Sequence, residues 1–224
     1  PAQLGQLLEL ILDQRDWSLS RRSRLLTDLV EATTQRQMRP AGNLRRVEEL
    51  FETSQPDLLL AAIRAAGAWR VDHARPKLAA RLQETTDVTG VSRELLAALR
   101  QLGAQDLLAQ TAEAHPVLPI RRLAVQELAG LDPAAAANKA VGLLRDWPAE
   151  MPPDSLIAAF LEHKEGPAAL VQALAGVEIP ADVARLSVRA VLATLRQAPE
   201  LLEALRLSGS LPTAGWKLTP ELMR

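Results

Sequence analysis

Apolar residues recur along this chain at helical spacing almost without pause. Leu4, Leu7, Leu8, Ile11 and Leu12 form a first stripe at i, i+3, i+4, i+7 and i+8, which places them on one face of a helix. A turn over Asp16 to Ser20 follows, with Ser20 where a capping hydroxyl is wanted, and Leu25, Leu26, Leu29 and Val30 make the second stripe. Arg39-Pro40-Ala41-Gly42-Asn43 then breaks the pattern, because Pro removes a donor and Gly tolerates positive φ. From there short helices come in pairs, predicted over 44–52 and 57–67, 76–83 and 92–103, and 106–114 and 118–130. Asp132-Pro133 starts the next pair, Pro being tolerated in a first helical turn. Pro148, Pro152 and Pro153 separate it from a helix over 155–163, Gly166-Pro167 opens one reaching Ala175, and Ile179-Pro180-Ala181-Asp182 opens the longest, reaching Gln197. A last half-hairpin spans 199–207. Asp87 and Asp182 flank helix starts, which is capping chemistry, and Asp57 stands near the positive end of its helix.

Within this pattern LLAAIRAAG, Leu59 to Gly67, returns as LLAALRQLG, Leu95 to Gly103, at an offset of 36 residues (59 to 95). A recurrence of that length marks an array in which each hairpin is unable to bury its apolar face alone and stacks on its neighbours. The second helices align as LLAAIR at Leu59, LLAALR at Leu95, RLAVQE at Arg122, LIAAFL at Leu156 and ARLSVR at Ala184, with start intervals of 36, 27, 34 and 28. Such irregular spacing suits HEAT-type helical pairs, whose turns vary in length. The paired alanines Ala61 and Ala62, Ala97 and Ala98, Ala158 and Ala159 are small where neighbouring helices must approach. The expected fold class is all-α, a HEAT-like α-α superhelix of about six hairpins over 1–209, with 210–224 as a linker toward a following domain.

Composition sharpens this picture. Of 224 residues 48% are hydrophobic and 24% charged, an ordinary globular balance, while aromatics are 3% with no Tyr. Leu and Ala dominate, as in close-packed helices rather than strands. A net charge of −1 argues against a dedicated nucleic-acid binder, which carries a basic excess. Without cysteine there is no disulfide framework, no thiolate metal site and no covalent haem attachment in this segment. The longest apolar runs, such as Leu58 to Ile63, fall far short of the roughly 20 residues a spanning helix needs, so no membrane insertion is expected. The chain starts Pro1-Ala2 and reads as a domain excised from a longer protein, with any targeting signal upstream.

Candidate chemistry is sparse. After the apolar core position of each second helix stand Arg64, Arg100, Glu127, Leu161 and Arg189 in turn. A column of arginines on one face would bind phosphate or carboxylate; the plainer account is ion pairing within the array. Arg64, Arg100, Glu127 and Arg189 are therefore the candidate interaction surface. The doublets Arg21-Arg22, Arg45-Arg46 and Arg121-Arg122 read as solvated helix ends. His73, His115 and His163 lie apart near helix ends, without the spacing that sets two ligands on one helical face, and suit surface or capping roles. Trp17, Trp69, Trp147 and Trp216 all fall in or beside turns. They suit plugs between hairpins whose N–H meets a loop carbonyl, the alternative being a base-stacking pocket. No phosphate loop, nucleophile elbow or carboxylate dyad is found, so no catalytic residue, metal site or cofactor site is assigned.

From Leu174 onward LAGVEIPADVARLSVRAV, PELLEALRLSGSL and WKLTPELM, with RPAGNLRRVEELFET and LLLAAIRAAGAWRV earlier, resemble the helical region of a bacterial family. Its members are large haem-binding proteins described as membrane-bound dehydrogenases. In them a dehydrogenase-like β-propeller precedes a HEAT-like region, and a cytochrome c domain carrying CxxCH follows. The resemblance covers roughly 39–223 and is most specific at Ile179 to Ala184 and Lys217 to Leu222. It implies a non-catalytic scaffold and spacer, with the propeller and cytochrome c domains as partners in cis, inside an exported oxidoreductase. Neither haem ligands nor propeller residues occur here to carry over. The alternative reading is a HEAT-fold nucleic-acid binder or DNA-glycosylase-like enzyme, and a third is a cytosolic adaptor or lyase-type HEAT protein.

Overall fold

The computed structural model describes residues 2–14, 16–86, 88–148, 151–194 and 198–212. Among these every regular element is helical: twelve α-helices and two 3-10 helices. The chain divides into two compact units, Pro1–Leu131 and Asp132–Arg224.

In the first unit α1 (Ala2–Asp13) packs on α2 (Leu19–Gln35), and α2, α3 (Pro56–Ala68), α5 (Gly90–Gln101) and α7 (Leu118–Ala129) pack successively into one layer. The 3-10 helix Leu44–Glu52 covers α3, α4 (Arg75–Gln83) covers α5, and α6 (Gln105–Ala114) covers α7, giving the second layer. A second 3-10 helix, Asp72–Ala74, leads into α4. In the second unit α8 (Pro133–Arg145), α10 (Gly166–Leu174) and α12 (Pro199–Ser208) form one layer, α9 (Asp154–Glu162) and α11 (Ala181–Leu192) the other.

Local physics explains where the elements depart from the predicted ones. The 44–52 segment winds as a 3-10 helix because Leu44, Val47 and Leu50 recur every third residue, and three residues per turn aligns them in one buried column. Helix α2 begins earlier than expected: Ser18, not Ser20, is its cap, with Oγ accepting from Arg21 N at 3.2 Å. Thr89 and Ser92 exchange reciprocal bonds to cap α5, and Asp132 Oδ1 accepts from Ala135 N at 2.9 Å to cap α8. Asp87 lies outside the described residues, and Asp182 sits inside the first turn of α11, behind Pro180. Helix α11 stops at Leu192, where Thr194 Oγ1 bonds the Val191 carbonyl at 2.7 Å, so α2 with 17 residues is longer. In α1 the buried face is Gly5, Leu8, Ile11 and Leu12, with Leu7 exposed, because a Cβ at Gly5 would run into the Ala41 carbonyl.

The repeat itself has a different register from the one the matching strings suggest. Gly67 and Gly103 are equivalent in the strings, yet Gly67 lies inside α3, where an added Cβ would come within 3.0 Å of Ala98 Cα in α5. Gly103 lies beyond α5 in the left-handed region, at φ 65°. Its true counterparts are Arg70 after α3 and Gln37 after α2, at φ 50° and 51°, a spacing of 33 residues (37, 70, 103). Each is followed by the same bond back into its helix, Met38 N to Thr33 O at 2.8 Å, Val71 N to Ala66 O at 2.9 Å and Ala104 N to Leu99 O at 3.0 Å. Sliding an amphipathic helix by three residues moves it most of a turn along its axis and leaves its apolar stripe in place. Strings of Leu and Ala therefore match as well at 36 as at 33.

Two outcomes follow for the α3–α5 seam and the left-handed ends. Ala98→Phe overpacks a position that is 2% exposed and is expected to lower stability by roughly 1 to 3 kcal/mol in a thermal melt. Arg70→Gly removes a left-handed strain on a non-glycine residue and is expected to raise stability by about 1 kcal/mol in the same assay.

Candidate interaction surface

The layer made by α2, α3, α5 and α7 carries three of the four candidate residues. Arg64 of α3 reaches across to Glu94 of α5, Nη2 to Oε1 at 2.6 Å, and Arg100 of α5 reaches to Glu127 of α7, Nε to Oε2 at 2.7 Å. Glu31 of α2 adds attraction on the other side of Arg64, whose guanidinium is held more firmly protonated, chiefly by its bond to Glu94. The arginine column is thus a set of rungs in which each arginine is neutralised by the next helix of the layer. Glu127, which interrupts the column in the sequence, is the acceptor of one rung. Burial pushes its carboxyl above the usual carboxylate range, and Arg100 opposes that shift. Arg189 belongs to the second unit, exposed in the last turn of α11, and Leu161 is buried in α9.

Other arginines serve inside the fold, among them Arg22, Arg46 and Arg121 of the doublets that read as solvated ends. Arg22 of α2 donates to the carbonyls of Ile11 at 2.9 Å and Leu12 at 3.2 Å at the end of α1. Arg121 of α7 donates to Ala112 O at 3.0 Å near the end of α6, and Arg75 to Leu102 O just after α5. Each cation meets carbonyls that the helix leaves unpaired at its negative end. Arg46 binds Glu9 and, at 2.6 Å, Asp13 of α1, together with Glu49 of its own helix at 3.2 Å. That cluster fastens α1 to the 3-10 helix, and only Arg45 of the doublet is exposed.

His115 is 2% exposed and caps the end of α6. Its Nδ1 accepts from Val117 N at 3.1 Å, which leaves Nε2 to donate to Leu82 O at 3.0 Å. His73 is exposed and His163 half-buried at the end of α9. Trp147 plugs its turn as expected, Nε1 donating to the Met151 carbonyl at 2.6 Å. Trp69, 1% exposed, donates instead to the hydroxyl of Thr33 in α2 at 2.8 Å, joining the end of α3 to α2. Trp17 carries the Arg21 guanidinium 4.4 Å from its ring centre, and Trp216 lies outside the described residues.

Two open cavities adjoin in the first unit. One of about 650 Å³, between the ends of α2 and α3 and the side of α5, is bounded by Gln37, Met38, Arg64, Glu94 and Gln101. The other, of about 470 Å³, lies along the loop after α2 and is bounded by Asn43, Arg45, Asp72 and His73. Arg39 and Arg70 line both. Reading the sequence missed this pair; the 33-residue recurrence of left-handed helix ends is the signal that finds Arg70. In the second unit a cavity of about 630 Å³ between α10 and α12 is edged instead by Glu178, Glu200 and Glu203 beside the exposed Leu207. Among the described residues no group of three or more His, Cys, Asp or Glu converges as a metal site, and no helix is long and apolar enough to cross a membrane.

Comparison with protein-family models, with curated proteins and with solved structures finds no match.

The Arg100–Glu127 rung has a defined pH signature. A carboxyl raised in the folded state stabilises the fold below its ordinary range, and that contribution is lost as pH rises through the folded value. Glu127→Gln removes the titration, so its melting temperature relative to the parent chain is expected to be more favourable at neutral pH than at mildly acid pH. Arg100→Ala takes away the opposing influence and is expected to steepen the parent's loss of stability over the same range, measured by melts across a pH series.

Proposed function

We propose that this chain is a HEAT-like helical array with no catalytic role of its own, serving as a scaffold and protein-interaction domain. The observation that carries the reading is the recurrence of helix, left-handed end and return at 37, 70 and 103, with each repeat tied to the next through Trp69–Thr33, Arg64–Glu94 and Arg100–Glu127. Stacked hairpins joined only to their neighbours give an extended surface rather than an enclosed pocket. The distribution of charge points the same way. Arg64 and Arg100, which would have to be free to grip nucleic-acid phosphates along a column, are engaged by carboxylates of the adjoining helix.

The resemblance of 39–223 to the helical region of haem-binding dehydrogenase-like proteins supplies a setting: a spacer holding a dehydrogenase-like propeller and a cytochrome c domain at a set distance, inside an exported protein. No cofactor is assigned to this segment in that reading. The test is to read the coding sequence on both sides, express the longer protein and measure the separation of the flanking domains by small-angle scattering. The spacer reading expects a CxxCH-bearing domain downstream and one separation that holds across salt concentrations. A gene with no flanking domain, together with substrate turnover by this chain alone, overturns it.

A further inference from the structure

We propose that the two adjoining cavities of the first unit form one docking groove for an acidic, partly apolar peptide segment of a partner protein. The proposal rests on the interaction-domain reading and names the partner's chemistry. Arg39, Arg45, Arg64 and Arg70 line the groove, against two carboxylates, Asp72 and Glu94. Both carboxylates are already paired, Asp72 with Arg75 at 2.9 Å and Glu94 with Arg64 at 2.6 Å. Arg39 and Arg70 are exposed, stand where the two cavities meet, and have no ion-pair partner among the described residues. On a chain of net charge −1 this is a local cationic strip, and it attracts carboxylates.

Backbone conformation adds an independent observation. Glycine occupies the left-handed position after α5, where φ above zero is free of strain, but at the left-handed ends of α2 and α3, which border this groove, the residues are Gln37 and Arg70. Strained non-glycine conformations cluster at binding sites, and of the three among the described residues, Gln37, Arg70 and Ser210, two border this one groove. An amide and a guanidinium are both donors suited to carboxylate oxygens. The lining also includes the apolar residues Val30, Met38 and Ala68, which suit a hydrophobic side chain alongside acidic ones. Trp69, the aromatic residue of the lining, is buried and bonded to Thr33, so it presents no free face for a nucleobase. That balance favours a peptide over a nucleic acid.

Fluorescence anisotropy decides the matter with the full chain and three labelled probes: a peptide alternating Glu and Leu, its Lys and Leu counterpart, and a single-stranded oligonucleotide. The Glu peptide is expected to bind in preference to both others and to weaken with added salt. Arg39→Ala and Arg70→Gly are each expected to weaken it about tenfold, the loss of one charge-assisted bond. Because Arg70→Gly is expected to melt higher than the parent, a loss of binding in that variant is separable from unfolding. Equal binding of the two peptides, or affinity unmoved in both variants, overturns the proposal. Tighter binding of the oligonucleotide also overturns it and assigns the strip to phosphate instead. A negative result here leaves the spacer reading to its own scattering test, in which this peptide has no part.

Discussion

The meeting of α3 and α5 at Gly67 and Ala98 is the contact that sets the spacing of the first unit. With no side chain on Gly67 and a methyl on Ala98, two backbones approach closely enough for dispersion and apolar burial to act along the whole seam. Leu95, Leu96 and Leu99 on one side and Ala62, Ile63 and Ala66 on the other are buried as a result. A larger residue at either point would lever the helices apart, and Arg64 could then no longer reach Glu94. Packing comes first and the ion pair reports on it.

Charge has a secondary but ordered part in this architecture. Partly exposed ion pairs contribute little stability each, typically below about 1 kcal/mol. Their value lies in register: a rung between α3 and α5 and another between α5 and α7 penalise any slip of one helix along its neighbour. Arginines at the starts of α2, α4 and α7 do comparable work at helix ends, where unpaired carbonyls would otherwise depend on solvent. The arginines along the groove are of another kind. Among the described residues the Arg39 and Arg70 side chains have no ion-pair partner, which is why their placement bears on recognition rather than on stability.

The helical class and most element positions are legible in the sequence because amphipathic spacing, prolines and capping residues are local signals. The segment 44–52 is legible as a helix but not as a 3-10 helix, because the run Leu44, Val47, Leu50 fits one face of either kind. Register is not legible from letter matching, since Leu and Ala strings shifted by three residues look alike; backbone dihedrals at Gln37, Arg70 and Gly103 resolve it. The arginine column was visible, but its partners, Glu94 and Glu127, sit 30 and 27 residues away (64 to 94, 100 to 127) and come close only through stacking. The cationic groove needed both the loop after α2 and the end of α3 in space, and no single window of sequence contains them.

The division of the chain into two units gives the buried tryptophans a further use. Trp69 is shielded at the α2–α3 joint of the first unit and Trp147 in the turn after α8 of the second, with 1% and 5% exposure. An indole sealed from water emits at shorter wavelength and is shielded from soluble quenchers. Among the described residues each half thus carries one buried indole, and versions that keep only Trp69 or only Trp147 of the four tryptophans would show whether the halves unfold in one step or in succession.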